Sequence, residues 1–151
     1  MAQKTFTSAM LTSADVNLYL AGEGGAWQSW SPVVTQSVNV TVTNTRSRFA
    51  RWGRLIIATA DLTVTGTGTA SNAVTLSLPV TSAATGPSAG NGSLFDNSAN
   101  LNYNGAPFLN TTTTVSLLSD GGAQFLGLSI FTAALAVNDI IRFAFIYESA
   151  A

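Results

Sequence analysis

Few side chains in this sequence can do acid–base or nucleophilic chemistry. The 151-residue chain contains no histidine and no cysteine. It therefore lacks both the usual neutral-pH proton shuttle and the commonest transition-metal ligand. Ser-His-Asp and Cys-His nucleophile systems are excluded, as are ordinary zinc sites. Carboxylate chemistry remains, and the seven acids are Asp15, Glu23, Asp61, Asp96, Asp120, Asp139 and Glu148. No two are close in sequence. A polysaccharide-cleaving site would need folding to bring two of them roughly 5–10 Å apart in a groove. The chain reads as a non-enzyme, with no catalytic residue, no metal site and no cofactor.

Three groups of residues are better suited to binding than to catalysis. Arg46, Arg48, Arg51 and Arg54 hold four of the six cations, interleaved with Phe49 and Trp52. Such a patch suits nucleic acid, an anionic glycan or an acidic face of a neighbouring protein; equally, the arginines could pair with scattered carboxylates. The formal net charge of −1 argues against nucleic acid, because no global field draws a polyanion in. Residues 90–104 are rich in amides, and Asp96, Asn97, Asn100, Asn102 and Tyr103 are the candidates there for contact with a partner or glycan. Planar amides hydrogen-bond sugar hydroxyls and an aromatic face stacks on the ring; the plain alternative is a loop whose Asn residues serve turns. One carboxylate among amides makes a poor calcium site. Trp27 and Trp30 suit a packing role, clamping an N-terminal arm to the body or to a neighbour. With the four arginines they form the candidate protein interface.

The elements that would carry these residues are strands. Hydrophobic residues make up 46% of the chain and charged residues only 9%, so polarity comes from hydroxyls and amides. Val38, Val40 and Val42 alternate with Asn39, Thr41 and Thr43. Ile56, Ala58, Ala60, Leu62 and Val64 share one face opposite Thr59, Asp61, Thr63 and Thr65. Val74, Leu76 and Leu78 continue the pattern, and further strands are expected at Thr113–Leu118, Gln124–Phe131 and Ile140–Tyr147. Alternation at period two means half-buried antiparallel strands. The last strand is apolar on both faces, which fits a central strand or a strand between a core and a subunit interface. The run from Thr81 to Ala106 reads as a long loop. The uncharged stretch between Asp120 and Asp139 is interrupted by glycines and polar residues, which argues against a membrane span. Residues 12–21 are the one expected helix, with Thr12 or Ser13 as N-cap and Gly22 as stop. The predicted architecture is all-β: an antiparallel β-sandwich of jelly-roll type over residues 31–151, preceded by a docking arm with one short helix over residues 1–30.

Several segments resemble virion proteins of bacteriophages. The opening Leu11-Thr12-Ser13-Ala14-Asp15-Val16-Asn17 is similar to the N-termini of phage tail and minor tail proteins. Ala26-Trp27-Gln28-Ser29-Trp30-Ser31-Pro32 resembles a segment leading into a small β-domain of actinobacterial phage virion proteins. Arg51-Trp52-Gly53-Arg54-Leu55, Leu78-Pro79-Val80 and Asn138-Asp139-Ile140 with Tyr147-Glu148 are similar to later strands of that group. The resemblance implies a virion location, a homotrimer, contacts to other virion proteins through the arm, and exposed loops for a host-surface glycan. No nucleic-acid binding or membrane insertion is expected. A minor tail or tail-tip protein is the leading expectation. A capsid decoration protein is the alternative, favoured by the short length and by the lack of a shaft repeat.

Overall fold

The computed structural model describes residues 26–119, 124–128 and 131–150. These form strands, turns and bends, with no helix among the described residues. The helix expected at 12–21 and most of the docking arm lie outside them.

The strands are β1 (Gln28–Ser29), β2 (Val34–Gln36), β3 (Val38–Val40), β4 (Val42–Asn44), β5 (Arg48–Trp52) and β6 (Leu55–Val64). There follow β7 (Thr75–Ser77), β8 (Gly86–Pro87), β9 (Ala89–Asp96), β10 (Leu101–Leu109), β11 (Thr114–Ser119) and β12 (Ile140–Glu148). They join one sheet in the order β1-β5-β6-β12-β9-β10-β11-β7-β2-β3, with β4 also on β6 and β8 on β10. Each pairing is antiparallel. Of the residues expected in the arm, Gln28 and Ser29 pair with β5 as β1 at the edge of the sheet, and Trp30 packs into the core.

Chain connectivity requires this sheet to curl. On a flat sheet β1 and β2 would lie eight strand spacings apart, roughly 38 Å. The five peptide steps from Ser29 to Val34 reach at most about 18 Å. The run 38–44 makes the same point: its first half pairs with β2 and its second half with β6, near the opposite end of the strand order.

The concave side holds the core. Ile56, Ala58, Ala60, Leu62 and Val64 of β6 are buried, as their alternation predicts, and they sit beside Ile141, Phe143, Phe145 and Tyr147 of β12. Phe143, Phe145 and Tyr147 form an aromatic row, with ring centroids 6.2 and 5.6 Å apart. Full burial of each such side chain contributes about 1.5–3 kcal/mol. The Tyr147 hydroxyl donates to the Val80 carbonyl at 2.8 Å, so this buried polar group is satisfied. Phe131 and Leu135, from the connection before β12, close one end of the core. Gln36 holds that connection: its Nε2 donates to the Ala133 carbonyl at 2.9 Å, and its Oε1 accepts from Leu135 N–H at 2.8 Å.

Two sequence expectations are corrected. Much of the run 81–106 is not loop, since 89–96 and 101–109 pair as the hairpin β9–β10. Its glycines serve close strand contact. Gly90 has φ +144°, and a Cβ there would lie 2.1 Å from the Ala144 carbonyl oxygen. Of the segment expected as a strand at 124–131, the described residues 124–128 do not form a regular strand. Phe125 makes a single bridge to Leu118, after which Gly127, at φ +105°, turns the chain.

Candidate functional site

The outward face of the central strands is set by register. Directly opposed residues of an antiparallel pair share a face, so a row runs from Asp61 on β6 through Arg142 on β12 and Ser93 on β9 to Asn104 on β10. The next row holds Arg48, Thr59, Ala144 and Asn91. Arg46, in the turn before β5, reaches the same place; its backbone N–H donates to the Asp61 carbonyl at 3.3 Å. These residues line a shallow groove of about 400 Å³.

The charges in the groove are unequally matched. Arg142 Nε lies 3.4 Å from Asp61 Oδ1, an ion pair open to solvent and therefore weak. Arg48 stacks on an aromatic face, its Cζ 4.5 Å from the centre of the Trp27 ring. Neither Arg46 nor Arg48 forms a salt bridge with a carboxylate among the described residues. The far end of the groove is neutral and is built from Asn91, Ser93 and Asn104.

The sequence-predicted groups are thus divided. Of the four clustered arginines, Arg46 and Arg48 face the groove. Arg51 and Arg54 lie at the tip of the β5–β6 hairpin, where Arg51 Nε donates to the Gly53 carbonyl at 2.7 Å. Arg54 donates to the Ser149 carbonyl and pairs with Glu148 at 3.1 Å. The two tryptophans separate as well. Trp27 is 46% exposed, whereas Trp30 is 6% exposed and packs edge-on against Phe145 in the core.

The Asn-rich segment is the turn of the β9–β10 hairpin and the start of β10. Asp96 is buried, and its Oδ1 accepts from Ser98 Oγ, Ser98 N–H and Ala99 N–H. Those donors, the Ser98 hydroxyl foremost, lower its pKa against the opposing effect of burial. Asn97 N–H donates to the buried Asp139, which also accepts from Ala136 N–H. Asn100, at φ +54°, closes the turn. Asn97, Asn100 and Asn102 are exposed. Tyr103 turns inward and packs edge-on against Phe131, with centroids 5.5 Å apart.

Arg142 and Thr59 were not singled out from sequence as site residues. Asn91, Ser93 and Asn104 lie in the amide-rich run 90–104 without being among its named candidates, and Asp61 was considered for chemistry only as one of the seven acids. The signal available was Arg142 itself, a cation on the outward face of a strand that is otherwise uncharged up to its closing Glu148. No family model matches the chain, and no curated protein or solved structure does either.

Proposed function

We propose that this chain is a non-enzymatic structural and binding component of a bacteriophage particle, a trimeric minor tail or tail-tip protein whose exposed surfaces meet the host. In this reading the curled sheet is a β-sandwich of jelly-roll type, its partners are its own copies and other virion proteins, and its location is the virion. The observation that carries it is the second face of β12. Its inward side is core, while Ile146, 39% exposed, lies outward beside Ile57, with Leu55 (46%) and Trp52 (45%) in neighbouring strands. A contiguous apolar zone on a chain with so few charges suits burial against a second copy. The described carboxylates hold backbone amides or pair with arginines, which supports a binding role over hydrolysis. The same zone on a small domain also suits capsid decoration.

Light scattering on the full chain tests self-association. A trimer is expected, and Ile146→Glu should yield folded monomers. A wild-type chain that stays monomeric at tens of micromolar would remove the reading of this face. Immunogold labelling of purified particles separates the two locations: label at the tail tip supports the first, label over the head supports decoration, and unlabelled particles exclude both.

A further inference from the structure

We propose that the groove across β5, β6, β12, β9 and β10 is a binding site for an acidic carbohydrate, a sugar chain carrying carboxylate groups. Its length, four strand spacings or roughly 19 Å, suits an extended oligomer rather than a single small ion. Its polarity changes along that length. Arg46, Arg48 and Arg142 stand towards the β5 and β12 side, with Asp61 as the lone acid. Guanidinium forks match carboxylates in a planar, two-point geometry that ammonium groups cannot offer. Trp27 keeps Arg48 extended over its ring, so less side-chain freedom is lost when an anion arrives. The Arg142–Asp61 pair is solvent-exposed, so a ligand carboxylate can share Arg142 at little cost.

Towards β10 the lining changes to Asn91, Ser93 and Asn104, which are donors and acceptors without charge. Hydroxyl groups of a sugar ring satisfy such partners in both directions, whereas a phosphate chain presents acceptors only. A polynucleotide would also require cations along the whole track and a favourable overall field; here the cations gather on one side and the net charge is −1. Half of the chain's six cations converge on a surface that is otherwise nearly uncharged. The assignment gives a ligand class to the host-contact role proposed above and rests on that role for its biological setting.

The test is a heteronuclear NMR titration of the full chain with trigalacturonic acid, its carboxyl-reduced trimer, and a single-stranded oligonucleotide. Shifts confined to amides near 46–48, 59–61, 91–93, 104 and 142–144 are expected with the acidic trimer. Binding should be at least about tenfold weaker for the reduced trimer, one lost charge-assisted contact being worth about that factor. Arg48→Ala should weaken acidic-trimer binding about tenfold, and Ser93→Tyr should block the groove without removing a charge. Equal affinity for the two trimers, no shifts at millimolar ligand, shifts elsewhere, or tighter binding of the oligonucleotide would each overturn the proposal. Particle labelling and light scattering read location and assembly instead, so failure of the functional reading is distinguishable from failure of this site.

Discussion

Gln36 is fully buried on a short strand, and its amide is the only side chain described as bonding both Ala133 and Leu135. Gln36→Met keeps the approximate volume and removes both hydrogen bonds. The two abandoned partners differ in consequence. Ala133 is exposed, so water can satisfy its carbonyl, whereas Leu135 is 0% exposed and its N–H would be orphaned. An orphaned buried donor costs about 1–3 kcal/mol and a lost but hydrated bond about 1 kcal/mol or less, so a loss of about 2–3 kcal/mol is expected. Urea denaturation followed by tryptophan fluorescence measures it, with the midpoint falling and the slope unchanged. Gly68 supplies an internal check, because a Cβ there would lie 2.1 Å from Gln36 Oε1. Gly68→Ala should be damaging in the wild type and less so beside Gln36→Ala, which removes the Oε1 and Cδ clashes and leaves only the Cβ of residue 36 at 3.0 Å, a non-additive cycle. A Gln36→Met chain within about 0.5 kcal/mol of wild type, or an additive cycle, would refute the claim that this amide holds the closing segment.

Other consequences are more local. Burial pushes the Tyr147 phenol up to about 12 from its ordinary 10.0, although the Val80 hydrogen bond pulls the other way. The fold therefore prefers the neutral form; its contribution is complete below pH 10 and is lost as pH rises towards 12. Allowing for solvent screening, an alkaline destabilisation of up to about 2 kcal/mol is expected, and Tyr147→Phe should abolish it in denaturation curves across that range. Asp96 has the opposite sign: its lowered pKa gives stability that is present above about pH 4 and is lost as pH falls through the folded-state value. Asp96→Asn should flatten that acid limb, and an unchanged limb would assign it to other carboxylates. Gly90→Ala places a methyl against the β12 backbone, so a loss above about 3 kcal/mol or failure to fold is expected; a soluble chain with wild-type melting would contradict the pairing of β9 with β12.

Much of the fold was legible because burial on one face writes itself as alternation. The inward sets on β6 and β12 could be read residue by residue, whereas the outward face of β12, expected to be apolar, also carries the exposed Arg142 and Glu148. The hairpin β9–β10 could not, because its strands are built from Gly, Asn and Ser, whose ordinary preference is for turns; close backbone packing overrode that preference. The site was half legible for a related reason. The arginine run is visible as composition, but strand parity sends Arg48 outward, while Arg51 and Arg54 go to a hairpin tip bonded to Gly53 and Glu148. Arg142 and Asp61 meet only through a register spanning about half the chain, which no local pattern can announce.

That register also governs when the protein can form at all. β12 is the last described strand along the chain, yet it lies in the middle of the sheet between β6 and β9. During synthesis, therefore, β6 presents an unpaired ladder and an uncovered apolar face from the moment it emerges until Glu148 has been made. Contacts of such long sequence separation form slowly, and unpaired edges invite pairing with other chains in the interval. Nascent chains stalled before residue 140 should bind chaperones or aggregate, and the switch to protease resistance should come abruptly once β12 has cleared the ribosome.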